Sequence, residues 1–124
     1  MNTLTTLQFD APDAAACLQR LSAGELDALD FGVVEMDHQC QVLRYNATES
    51  RYAGLPPERV VGRHFFRDVA PCSNNRHVAQ RYEAATLDDT IAYTFALRMK
   101  PVPVTLRMLK PADSPCMYLL VRWT

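Results

Sequence analysis

Tyr45 and Glu49 set a phenol and a carboxyl group four residues apart, and Cys72 sets a thiol directly behind Pro71. If the chain after Tyr45 is helical, the first two lie one turn apart on one face and reach a common pocket. Cys72 is followed by Ser73-Asn74-Asn75, all residue types that cap helices, and by a helical pattern. A thiol at a helix N-terminus sees a partial positive charge, a setting that favours reactive sulfur. Two proton donors and one such sulfur around one apolar stretch point to a pocket built for chemistry. Each residue also has a plain structural reading: Cys72 as a buried thiol, Glu49 as a solvated helix residue, Tyr45 as a core ring with its hydroxyl at the surface.

The elements that must position these groups follow from periodicity. Residues 1–10 carry no period and read as an arm. From Ala11 to Asp30, Ala14, Cys17, Leu18 and Leu21 recur at helical spacing, Gly24 interrupts, and Leu26 and Leu29 mark a second short helix. Residues 31–36 and 41–45 read as a hairpin around Asp37-His38-Gln39-Cys40. A helix over 47–53 stops at Gly54, a short one follows over 56–62, and Phe65 to Val69 makes one more turn. Val78, Tyr82 and Ala85 form a stripe over 75–85, the longest helix expected in the second half. Then the period becomes two: Ile91, Tyr93, Phe95, Leu97 and Met99 alternate with smaller or polar residues, and Val102, Val104, Leu106 and Met108 repeat the pattern after a turn at Lys100-Pro101. Met117 to Trp123 is the fifth strand. Two strands, short helices and a three-strand meander make an α+β domain with one five-stranded antiparallel sheet. Short helices cover one face, leaving a pocket against the column from Ile91 to Met99.

The chain's 124 residues fit one domain, read as an N-terminal helical cap over 1–30 and a core over 31–124. A net charge of −1 argues against an electrostatic grip on nucleic acid or an anionic membrane. No apolar run reaches membrane-spanning length, and a cytoplasmic protein is the default reading. Cys17, Cys40, Cys72 and Cys116 are scattered without a C-x-x-C pair, and His38-Gln39-Cys40 falls in a hairpin turn, so no metal site is read. No acid/base pair with an open substrate site is visible, which argues against an enzyme.

The order of elements resembles the PAS sensory fold, and Tyr45-Asn46-Ala47, Gly54, Glu58-Arg59-Val60-Val61-Gly62-Arg63 and Phe66 match its common half-motif. A narrower resemblance sits inside it. Residues 26–32 (Leu-Asp-Ala-Leu-Asp-Phe-Gly), 42–49, 60–72 and Tyr93-Thr94-Phe95 are similar to the photoactive yellow protein family, the Phe-Phe-x-Asp-Val-Ala-Pro-Cys run most specifically. That resemblance implies p-coumaric acid held as a thioester on Cys72, with its phenolate hydrogen-bonded by Tyr45 and a protonated Glu49. It also implies pocket walls from Phe65, Phe66, Phe95, Leu97 and Met99. The family's threonine behind the tyrosine corresponds to Ala53, its arginine over the ring to Leu55, and a tyrosine near the ring to Leu97. The function implied is blue-light reception: isomerisation, proton transfer from Glu49, and loosening of the domain around a stranded carboxylate. A downstream signalling partner and a monomer or weak homodimer go with it. The rival readings are a PAS interaction module without chromophore and a thiol-redox sensor using Cys72; the second leaves Tyr45 and Glu49 without a role.

Overall fold

The computed structural model describes residues 7–97 and 100–123. Helices α1 (Ala14–Arg20) and α2 (Ala23–Asp27) come first, followed by strands β1 (Gly32–Met36) and β2 (Val42–Tyr45) and helix α3 (Ala47–Ala53). Short 3-10 and π turns fill the stretch to residue 83, before β3 (Leu87–Leu97), β4 (Lys100–Lys110) and β5 (Met117–Trp123). The strands form one antiparallel sheet in the order β2-β1-β5-β4-β3. The α+β class and the five-stranded sheet expected from the pattern are thus present.

Successive side chains of a strand point to opposite faces, and here both faces are covered. On one, Val34, Leu119, Val121, Leu106 and Met108 pack with Tyr45, Phe65, Phe66 and Phe95. On the other, Val33, Tyr118, Leu120 and Leu109 pack with Leu18, Leu26, Leu29 and Phe31 from the N-terminal segment. The central strands β1 and β5 therefore read as almost continuous apolar runs, whereas β3, at an edge, alternates. The short helices and turns and the N-terminal cap are not one layer; the sheet lies between them.

Helices of seven and five residues are unstable alone and must be fastened to something. Arg44 donates to the carbonyls of Leu18 and Leu21 at 2.8 and 2.7 Å and pairs with Glu35 through Nε. Arg107, almost fully buried, donates to the carbonyls of Phe9 and Ala11 at 2.9 and 2.7 Å and grips Asp88 with its other nitrogens. Arg122 lies 4.4 Å over the Phe9 ring. Arginine suits this work because its planar fork satisfies several carbonyls at once.

Three local expectations are corrected. The break between the first two helices falls at Leu21, and Gly24 lies inside α2, because Ser22 and Glu25 form a reciprocal capping box that starts a new helix. Residues 75–85 hold only a 3-10 helix, Ala79–Glu83. There the Asn75 side chain accepts from the amides of His77 and Val78, competing with helical bonding, and Val78 leaves the helical region. Val78 and Tyr82 are buried as the stripe requires, but Ala85 is exposed. Leu97 pairs with Lys100, so Lys100 and Pro101 belong to β4 and not to the turn. Pro101 and Pro103 are tolerated because, among the described residues, β4 pairs with β5 from Val104 onward, so the ladder to β5 asks no donor of either proline.

Arg107→Met should free the carbonyls of Phe9 and Ala11 and cost about 1–3 kcal/mol. Hydrogen exchange should then speed up in α1 while the amides of β5 stay protected; equal change in both would mean that the cap is not separately fastened.

Candidate functional site

The site begins with one asparagine. Asn46 closes β2 and caps α3, its Oδ1 accepting from the amides of Glu49 at 3.0 Å and Val33 at 2.9 Å. Its Nδ2 donates to the carbonyls of Leu26 at 2.9 Å and Phe31 at 3.1 Å. The next residues extend the seam: the Ala47 amide reaches Asp27, and the Thr48 hydroxyl donates to the Leu29 carbonyl at 2.6 Å. This binds the first turn of α3 to the start of the sheet, and Glu49, its third residue, is directed at β1. Gly32 receives it: a Cβ there would collide with the Glu49 carboxyl, so only glycine leaves the niche open. Tyr45 is the last residue of β2 and not helical, so strand end and helix start bring the two side chains together.

Glu49 is 3% exposed, and burial pushes its pKa up to about 7. One interaction opposes that rise: Trp123 Nε1 donates to Glu49 Oε1 at 2.8 Å. Burial and the nearby Glu49 carboxyl raise the Tyr45 phenol well above its ordinary value, so it stays a donor. Among the described residues, its hydroxyl makes no hydrogen bond. Both side chains line a narrow cleft walled by Ala53, Leu55, Phe65, Val69, Ala70, Phe95 and Trp123. The cleft holds about 20 Å³, the room of one water, so an aromatic ligand requires its walls to part. Leu55 and Val69 are the thin wall, for they also line an open surface groove of about 470 Å³ with Arg59 and Arg63.

The expected site residues fall into three sets. Tyr45, Glu49, Ala53, Leu55, Phe65 and Phe95 meet at the cleft. Phe66 does not line it; it packs 5.7 Å from Tyr82 in the core. Leu97 ends β3, and Met99 lies outside the described residues. Cys72 follows the cleft residues Val69 and Ala70 and packs partly buried against the same core, but in the three-residue 3-10 turn Pro71–Ser73. It is not at the head of an α-helix, so the expected helix dipole is missing. Its carbonyl is clamped instead, by Tyr93 Oη at 2.7 Å and Asn75 Nδ2 at 3.2 Å. The π turn Phe65–Val69 before it is closed by the Ala70 amide on the Phe65 carbonyl at 2.8 Å.

Trp123 and Gly32 were not expected from the sequence. Trp123 gave only the signal of a strand's last aromatic; Gly32 gave none beyond being a glycine at a strand start. Chemically, the residues present fit an acidic phenol: Tyr45 and a protonated Glu49 are two donors in one apolar cleft, and Cys72 follows its wall residue Ala70 by two positions.

Residues 26–109 match the family model described as the PAS fold. Over 123 residues the chain is 30% identical to photoactive yellow protein of Halochromatium salexigens, covering 96% of this chain and 98% of that one. Identity to photoactive yellow protein of Rhodothalassium salexigens is 26%, over 94% of this chain and 96% of the relative. Among solved structures, the photoactive yellow protein domain of the sensor histidine kinase Ppr from Rhodospirillum centenum superimposes with a TM-score of 0.80 and 36% identity, covering 86% of this chain and 97% of that one.

Because Glu49 is protonated more readily folded than unfolded, its linkage has a definite sign. The native state binds the extra proton between the ordinary carboxyl value of 4.5 and about 7. Stability is therefore greatest below that window and falls as pH rises through it, by about 3 kcal/mol at most for this one group. Denaturant unfolding of the parent and of Glu49→Gln across pH 4–8 should show this fall in the parent-minus-variant difference. A flat difference would mean that the carboxyl is not buried.

Proposed function

As the chain belongs to the photoactive yellow protein family, within the PAS fold, we propose that it is a blue-light receptor carrying p-coumaric acid as a thioester on Cys72. The observation that carries this reading is a buried Glu49, its proton affinity raised by burial, that lines one apolar cleft with the phenol of Tyr45. When bound, the coumaroyl group supplies light absorption, isomerisation and a phenolic oxygen able to take a proton.

The chain's own residues do the rest. Tyr45 and a neutral Glu49 would each donate to the phenolic end of such a group, since a buried anion without donors is very costly. Phe65, Phe95 and Leu55 keep water from it. Ala53 offers the tyrosine no hydroxyl and Leu55 offers no cation, so Tyr45 and Glu49 are the donors among the cleft residues that would hold such an anion. Tyr93 and Asn75 fix the backbone at Cys72 through its carbonyl. After photon absorption Glu49 gives its proton from Oε2, the oxygen that Trp123 does not occupy. A carboxylate then remains in the niche beneath β1, at an effective cost of several kcal/mol.

That charge acts on the first turn of α3, whose Asn46 and Thr48 hold the carbonyls of Leu26, Leu29 and Phe31. The described residues up to 30 are accordingly the detachable cap, and those from 31 onward the core. A kinase-borne relative, the Ppr domain, supports a downstream signalling protein as the receiver of the change. The second reading, a PAS module without pigment, draws on the narrowness of the cleft; colour separates the two.

Protein produced with an activated p-coumaric acid should turn yellow and gain the mass of one coumaroyl group. Cys72→Ser should abolish that gain, and serine at 17, 40 or 116 should not. A coumaroyl adduct on another cysteine, or none at all, overturns the assignment. Light should also speed hydrogen exchange over 11–30 in the parent. Glu49→Gln, which keeps a donor but has no proton to give, should bleach yet lose most of that increase; full opening in the variant would remove proton transfer from the mechanism.

A further inference from the structure

We propose that Trp123 is a positioning residue for the proton-releasing step: its indole N–H holds Glu49 Oε1 in both charge states, which leaves the transferable proton on Oε2 and gives the resulting carboxylate a permanent partner. The inference deepens the light-receptor reading and rests on it for its purpose, though not for its geometry.

Trp123 Nε1 lies 2.8 Å from Glu49 Oε1. An indole N–H only donates, so it cannot take the proton or reverse its role when the carboxyl ionises. The ring is itself held: it stacks on Tyr52 at 5.5 Å with planes 7° apart and leans on Phe95 at 5.7 Å. Behind the carboxyl, Gly32 leaves room for its present pose and little else. A group pinned between a fixed donor and a backbone niche does not rotate freely, so its two oxygens stay distinct.

The surroundings make this one bond matter. Tyr45 from β2, Gly32 from β1, Phe95 from β3 and Trp123 from β5 meet around Glu49. Tyr45 is the sole titratable side chain among these, and no charged side chain acts on Glu49 among the described residues. Burial drives the carboxyl toward its neutral form, and Trp123 alone pulls the other way. Once the proton leaves, the bond becomes charge-assisted and roughly twice as strong. Trp123 thus limits how costly the stranded charge is, and with it how readily Glu49 gives the proton up.

Trp123→Phe keeps the stacked ring and removes only the donor. The probe is the protonated-carboxyl infrared band of pigment-free protein, assigned by its loss in Glu49→Gln. In Trp123→Phe the band should move to higher frequency, and its titration midpoint should rise by about one pH unit, a tenfold gain in proton affinity. An unchanged midpoint overturns the inference. Trp123 is the chain's single tryptophan, so the unmutated protein supplies a second measurement that needs no folded variant. Its emission should titrate with the midpoint of the Glu49 band and become flat in Glu49→Gln; emission flat from pH 5 to 9 in the parent overturns the inference as well. A shifted midpoint in a chain that never takes up pigment keeps the Trp123–Glu49 coupling and removes the photoreceptor reading. Pigment uptake with an unshifted midpoint does the reverse.

Discussion

A carboxyl group is buried against a glycine, and much of the molecule is arranged around keeping it there. Water would solvate Glu49 far better than the niche below Gly32 does, so the fold must hold it in place from several directions. Asn46 orients the turn that carries it, Gly32 makes the space, and Trp123 takes one oxygen. The cost of burial is not waste. It raises the proton affinity into the range where a modest change in the neighbourhood decides the charge.

The sheet sets the cleft and the N-terminal segment back to back because both of its faces are occupied. The cleft lies on one and the N-terminal segment on the other, and α3 touches both through adjacent residues. Glu49 faces the cleft, while Asn46 and Thr48, which precede it, reach across the end of β1 to the carbonyls beyond. No long chain of contacts is needed. The same turn of helix carries the cleft's carboxyl and anchors the N-terminal segment.

Much of this was legible beforehand, for physical reasons that can be named. Period-two runs such as 91–97 and the apolar stretch at 117–123 announce strands because burial on a pleated surface leaves no other pattern. The end of α3 was readable because Gly54 adopts φ 75°, where other residues are strained. The stretch after Cys72 was misread because Val78 and Tyr82 carry a helical spacing that Asn75 undoes with its own side chain, and competition of that kind leaves no trace in hydrophobicity. Tyr45, Glu49 and Cys72 stood out by chemistry and by resemblance. Trp123 did not, because its bond to Glu49 spans 74 positions and is fixed by how β5 lies beside β1. Gly32 was silent for a simpler cause: a space kept empty has no residue type of its own.

The two prolines of β4 have a consequence for life in a crowded solution. Among the described residues the β3–β4 hairpin runs past the point where β5 begins to pair, and an exposed strand flank is a template on which a foreign strand can grow. Pro101 and Pro103 stand two apart, so the donors they lack are missing from the same flank. Such an overhang cannot be zipped into a continuous ladder by another chain. Strand flanks that offer donors invite such growth, and this hairpin carries its protection against it in its covalent structure.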